Sequence, residues 1–291
     1  DRQMTNVLIY DAQTGSKLDS ITRLFNQRAF VGLPLTFRRV SAADLLDHLD
    51  EQTDLLVLPG ARAGTPYRTQ LVDEKVERIK HLTQNGMQVL GICAGAYVLS
   101  RVFEYTDHFP EQGGSPQTKH IRDEPLGLVS AKAIGPDPVL QPIRQPDVTD
   151  PWSLYAAAHV GFDSSFLSPG SAAHLTLSLG PSFYDLDPAQ CRPLATFNQT
   201  GAAAIIQFDY GQGGGILSGP ALEVGGLDLL QFVHPRHHGN PARMDVLSKI
   251  ENSFPVWADM WGEMLTRLLP RQSAHHEQIR RNMYRRPRLG K

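Results

Sequence analysis

The chain has 291 residues, 41% hydrophobic and 20% charged, with a formal net charge of −2, the balance of a globular protein of one large or two small domains. Near-neutrality excludes a polyanion as partner for the body of the chain. Two cysteines, Cys93 and Cys191, exclude a disulfide framework and fit a reducing cytoplasm, and no stretch approaches the roughly 18 unbroken apolar residues that cross a membrane.

Asp1-Arg2-Gln3-Met4 leads straight into Asn6-Val7-Leu8-Ile9-Tyr10, with no signal-peptide pattern. That apolar run reads as a central parallel strand ending at Asp11. Leu18, Ile21, Leu24 and Phe25 follow at helical spacing, with Ser16 as the cap. Leu35 to Val40 is a second strand, and Ser41 caps a helix through Leu45, Leu46 and Leu49. Asp54 to Leu58 is a third strand that stops at Pro59-Gly60. A helix through Leu71, Val76, Ile79 and Leu82 ends at Asn85-Gly86.

The next stretch, Met87 to Ser100, organises the rest. Its apolar start reads as a buried strand and its end as a helix, with Gly91-Ile92-Cys93-Ala94-Gly95 between them. Glycine, any residue, a nucleophile, any residue, glycine at a strand-to-helix turn is the pattern of a nucleophile elbow. The bend is sharp, so Gly91 and Gly95 supply room beside the thiol. A helix N-terminus there would favour thiolate. The βαβα alternation predicts a doubly wound, mostly parallel, flavodoxin-like sheet with helices on both faces. Ligands bind such sheets outside the carboxyl ends of the strands, where Asp11, Gly60 and Cys93 would share one crevice. Tyr97, one helical turn past Cys93, would line it.

From Glu104 to about Tyr155 the pattern loosens into loops and short edge strands, with candidates at Leu126 to Ile134 and Ala157 to Phe162. His174 to Leu179 alternates as a half-buried strand. Cys191 to Phe197, Ala202 to Tyr210 and Gly215 to Ser218 read as strands joined in hairpins at Asn198 to Gly201 and Gly211 to Gly214. The latter glycines lack the following helix that a phosphate loop needs. Val246, Leu247 and Ile250, then Trp257 to Leu268, make a helical face interrupted at Pro255. Residues 4 to 269 therefore read as one domain. After Pro270 comes a basic tail with seven Arg and Lys against Glu277, read as a solvated terminus or an arm clasping a second copy in a homo-oligomer, with nucleic acid disfavoured. His237-His238 and His275-His276 lack the spacing of a zinc site, so neither a metal nor a cofactor is predicted.

Three segments in order, Asn6 to Tyr10, Asp54 to Arg62 with Pro66-Tyr67, and Gly91 to Tyr97, resemble the class I glutamine amidotransferase fold. Within it, the chain is similar to the family named for the N-terminal domain of biotin-protein ligases. Leu194 to Phe197, Ala202 to Ile206 and Gly215 to Pro220 continue the likeness. The resemblance implies that Cys93 is the nucleophile and that the Ala94 N–H, with one from the Gly60-Ala61 turn, forms an oxyanion hole. It also implies a histidine that activates the cysteine and a glutamate two residues later. Glu223 stands at the glutamate position, but the histidine position holds Ala221. Alanine has no base, so ordinary glutamine hydrolysis is not expected. Asp11 or one of His159, His174, His234, His237 and His238 would have to tune the thiol instead. Two readings stay open. One is a thiol hydrolase or amidase acting on a small molecule or peptide. The other is a catalytically silent ligand-binding or regulatory module.

Overall fold

The computed structural model describes residues 4–12, 17–61, 65–108, 114–141, 154–232 and 241–285. Strand β1 (Thr5–Asp11) leads to helix α1 (Lys17–Leu24), which a π-helical turn over Phe25–Ala29 extends. Then follow β2 (Leu35–Ser41), α2 (Leu45–His48), β3 (Leu55–Leu58), α3 (Thr65–Gln70), α4 (Glu74–Gln84), β4 (Gln88–Ile92) and α5 (Ala94–Leu99). The middle of the chain supplies β5 (Ser100–Asp107), β6 (Gln117–Ile121), β7 (Val129–Gly135), β8 (Ala156–Phe162), β9 (Ala172–Leu177) and β10 (Ser182–Tyr184). β11 (Cys191–Phe197), β12 (Ala203–Tyr210) and β13 (Gly213–Ser218) precede α6 (Gly226–Phe232), α7 (Pro241–Asn252), α8 (Phe254–Leu268) and α9 (His276–Met283).

The strands form one 13-stranded sheet. Its first five positions, β2-β1-β3-β4-β13, are all parallel, the block that the alternation of strand and helix predicts. Beyond β13 the hairpins extend the sheet antiparallel through β12 and β10 to β7, which β5 joins in parallel with β6 at the edge. Successive side chains on a strand point to opposite faces, and the core follows that period. Val7 and Ile9 of β1, Leu55 and Val57 of β3, and Leu90 and Ile92 of β4 pack under α1, α8 and α9. Leu8 and Tyr10, Leu56 and Leu58, and Val89 face α2, α4 and α5. Both faces are therefore covered, as a parallel sheet requires.

Two expectations change and one holds. The helix predicted through Leu71 to Leu82 starts only at Glu74, after Asp73 at φ 50°, and the separate helix α3 ends before it at Gln70. The loosened 104–155 region holds short strands as expected, the end of β5, then β6 and β7, the last over the strand read at Leu126 to Ile134. These lie toward the sheet edge, where Glu104, Thr106 and Lys119 give no apolar period to read. Part of the expected basic tail is the docked helix α9. Ile279 and Met283 are fully buried, and the Asn282 amide donates to Ala29 O at 3.1 Å and Val31 O at 3.0 Å. Its arginines face outward into ion pairs, Arg280 with Glu263 and Arg281 with Glu277. Pro255 lies in the first turn of α8, where its missing N–H breaks no helical hydrogen bond.

Helix α5 sits so close to β3 that a Cβ on Gly95 would lie 2.1 Å from Leu58 O. The obstacle is backbone and cannot turn away. Gly95→Ala should therefore lower stability by about 3 kcal/mol in urea unfolding. A loss under about 1 kcal/mol would show that the two elements separate freely.

Candidate active site around Cys93

Cys93 is the single residue between β4 and α5. It has φ 54° and ψ −107°, a region that residues with side chains avoid at a cost of order 1–3 kcal/mol. The surroundings hold it there. Its N–H donates to Ser218 O at 2.8 Å, and the Tyr97 N–H donates to Cys93 O at 3.1 Å. Gly91 and Gly95 allow close packing. A Cβ on Gly91 would meet Leu99 Cδ1 at 2.6 Å and Leu217 Cδ2 at 2.9 Å. α5 has only six residues before it passes into β5, so the expected macrodipole is slight. The Ala94 N–H does act on the sulfur, favouring thiolate.

The turn after β3 brings Gly60 against Cys93. The Tyr67 hydroxyl, itself buried, donates to Pro59 O and pins that turn. Ala61, next along, is half-buried against the cluster under α4 and α5. A Cβ built on Gly60 would meet Lys17 Cδ at 2.7 Å, Glu223 Oε1 at 3.3 Å and Cys93 Cβ at 3.6 Å. Three titratable side chains therefore converge on one bare α-carbon, which explains why this position is glycine.

Lys17, the first residue of α1, is the member that the sequence did not single out. Burial works to lower its pKa, but the fields of Cys93, Tyr155 and Glu223 outweigh it and keep the ammonium protonated. Glu223 is 1% exposed, and among the described residues neither carboxyl oxygen has a hydrogen-bond partner. Burial lifts its pKa to about 7, against the pull of Lys17. Its backbone is held firmly on both sides. Leu222 O accepts from the indoles of Trp257 at 2.9 Å and Trp261 at 3.0 Å, and Val224 O accepts from the Thr176 hydroxyl at 2.7 Å. Burial raises the Cys93 pKa too, with Lys17 opposing and Glu223 adding to the rise.

The crevice expected at the strand ends is closed over Cys93, which is 5% exposed. Its thiol donates to Ser178 O at 3.4 Å, and the Tyr97 hydroxyl donates to the neighbouring Leu179 O at 3.1 Å. Leu179 itself takes φ 63°, so the covering segment is strained. Tyr97 thus holds the cover while its ring packs on Phe103 and Tyr105. Asp11 stands at its strand end but pairs with Arg39 at 3.4 Å, and the charged groups acting on Cys93 are Lys17 and Glu223. Ala221 packs with Val224, Leu229, Leu247 and Ile250, a cluster separate from that of Cys93. His159 and His174 stack on each other across β8 and β9, 4.6 Å apart, with Asn198 bonded to His159. His234, His237, His238 and Ser16 lie outside the described residues. Among the described residues no group of three or more His, Cys, Asp and Glu side chains could hold a metal, and no helix is long and apolar enough to cross a membrane.

The signal for Lys17 was available: the first helical residue after β1 arrives at the same carboxyl ends that pointed to Asp11. Glu223 offers a direct check on the site's electrostatics. Its folded pKa, about 7, exceeds the ordinary 4.5, so between those values the folded chain keeps a proton that the unfolded chain releases. Its stabilising contribution is complete below about pH 4.5 and is lost as pH rises through 7. Glu223→Gln cannot ionise and should exceed the parent by about 3 kcal/mol at pH 8, with the difference gone by about pH 4.5. Urea unfolding at both pH values measures it, and a pH-independent difference would show that the carboxylate is not buried in charged form.

Comparisons with known proteins bear on the fold. Residues 5–114 match the sequence model of the family described as biotin-protein ligase, N terminal. Lys17, Gly60 and Cys93 fall inside the match and Glu223 outside it. No curated protein matches the chain in sequence. A glutamine amidotransferase from Thermotoga maritima superposes with a TM-score of 0.53 at 14% identity, covering 92% of this chain and 99% of its own. PurLQS from Thermotoga maritima gives 0.49 at 12% identity over 85% of this chain and 98% of its own. Residues 5–114 are thus similar in sequence to the family described as biotin-protein ligase, N terminal, and the chain shares the fold of the glutamine amidotransferase-like proteins.

Proposed function

We propose that this protein is a thiol-dependent hydrolase or amidase of the amidotransferase-like kind, with Cys93 as nucleophile and a small molecule or peptide as substrate. The observation that carries the reading is the one-residue, positive-φ bend that presents Cys93 at the end of β4 beside Gly60. A bend of that kind supports reading the turn as a nucleophile elbow. In the proposed reaction Cys93 Sγ adds to a carbonyl carbon, and N–H groups of Ala94 and the Gly60-Ala61 turn receive the oxyanion. Collapse expels the leaving group and leaves a thioester, which water then hydrolyses. Glutaminase chemistry through a Cys-His-Glu triad is not part of the proposal, since Ala221 has no base. Entry of substrate needs Ser178 and Leu179 to lift, with loss of the Cys93 and Tyr97 hydrogen bonds to that segment.

A second reading, a silent binding module, draws on the same cover: the thiol is buried and burial pushes its pKa up. Iodoacetamide labelling with peptide mapping separates the two. The hydrolase reading expects Cys93 in the native protein to be alkylated faster than Cys191, which is also buried and whose pKa is raised to about 11. It also expects p-nitrophenyl acetate to give a burst of nitrophenolate that Cys93→Ser lowers by about 10³-fold or more. Labelling of Cys93 only after denaturation, with no burst, would establish the silent module.

A further inference from the structure

Resting on the reading of Cys93 as nucleophile, we infer that Lys17 and Glu223 together replace the missing histidine, Glu223 as the group that takes and returns the thiol proton and Lys17 as the fixed cation beside which the thiolate forms. Three observations carry this. The first is convergence, since Lys17 Cδ, Glu223 Oε1 and Cys93 Cβ all lie within 3.6 Å of one point above Gly60. The second is the state of Glu223. Among the described residues both oxygens of a side chain 1% exposed lack a hydrogen-bond partner, at a desolvation cost that an unused carboxylate does not sustain. The third is chain position. Lys17 follows β1 and Glu223 follows β13, so two strands flanking β3 and β4 deliver opposite charges to the same end of the sheet.

The proton inventory balances inside the cluster. At rest it holds a neutral thiol, a carboxylate and an ammonium. Transfer of the proton from Cys93 Sγ to a Glu223 oxygen leaves a thiolate, a carboxylic acid and the same ammonium. The net charge stays at zero, so no charge has to be drawn from or released to water through a closed site. Only the place of the negative charge around Lys17 changes. The transfer requires Sγ to turn away from Ser178 O, its present acceptor. After the thiolate adds to an amide carbonyl, the acid of Glu223 gives its proton to the departing nitrogen and becomes a carboxylate again. In the second half it takes a proton from water as the thioester opens and returns it to the sulfur. A base with a pKa near neutrality suits both steps. Lys17 touches no substrate in this scheme and is a positioning residue acting through Cys93.

The charged and titratable groups facing the cluster are Lys17, Tyr155, Tyr67, Tyr97, Tyr105 and, toward Glu223, Asp228. The tyrosines lie above their ordinary range or are raised by burial, which leaves Glu223 as the group that titrates near neutrality. The test is the rate of Cys93 alkylation by iodoacetamide against pH, in the parent, Lys17→Met, Lys17→Arg and Glu223→Gln, with folding monitored by circular dichroism. The parent should rise in two steps. The first lies near pH 7, as Glu223 loses its proton and the thiolate form becomes accessible, and the second lies higher, as the remaining proton leaves. Glu223→Gln should show one step only, while its p-nitrophenyl acetate turnover falls by about 10²-fold or more. Lys17→Met should slow alkylation at pH 7 by about tenfold or more, and Lys17→Arg should retain most of the rate. If Lys17→Met does not fold, the Glu223→Gln profile decides alone. A single-step parent profile coinciding with that of Glu223→Gln overturns the inference, as does a folded Lys17→Met within twofold of the parent. A parent in which Cys93 reacts at no pH while folded overturns the nucleophile reading itself, a different outcome.

Discussion

Groups of opposite charge meeting at a bare α-carbon organise this site. The Lys17 and Glu223 side chains and the Cys93 β-carbon gather beside Gly60, which has no side chain to fill the gap. In a site of low polarizability such groups interact far more strongly than at a surface, and each would be costly alone. The parallel sheet makes the meeting possible. β1, β3, β4 and β13 are consecutive neighbours running the same way. The segments after them therefore emerge side by side with Lys17, Gly60, Cys93 and Glu223. Every other feature of the site adjusts one of those four positions.

The adjustments come from the second half of the chain. Two tryptophans of α8 place their indole N–H groups on Leu222 O, immediately before Glu223. The same Trp261 meets Phe25 edge-on, at the end of α1. α9 then fastens the turn beyond α1 through the Asn282 amide. One helical layer thus sets both the Lys17 and the Glu223 side of the cluster, because α1 and the Glu223 segment rest on it together. Gly91 and Gly95 belong to the opposite layer. There they let α5 close on β3 and β13, which fixes the bend at Cys93.

What was legible in the sequence was local. The apolar runs of β1, β3 and β4 are short and uninterrupted, so burial on both faces shows in the residues themselves. The Gly91-to-Gly95 spacing marks the bend, since only small residues tolerate it. Glu223 was found by position in a pattern, and Gly60 by the Pro59-Gly60 stop. Lys17 was not found, because a lysine opening an amphipathic helix is ordinary until a carboxylate from β13 arrives beside it. The closure over Cys93 was equally hidden. It depends on Ser178 and Leu179, which carry no signal beyond the end of an alternating strand. Helix α9 was masked by its charge, for Ile279, Asn282 and Met283 are few among arginines, and the arginines are matched by Glu263 and Glu277 in space.

The position of β13 has one more consequence. It lies between β4 and β12 in the sheet, although it follows both in the chain. During synthesis on the ribosome the first four strands of the parallel block emerge long before their fifth. Until it is made, β4 presents an unpaired apolar edge to its surroundings, the kind of edge that invites wrong partners. The same strand leads to Glu223, so a nascent chain carries Cys93 without its acid neighbour. Completion of the sheet and the meeting of Cys93 with Glu223 are then a single late event.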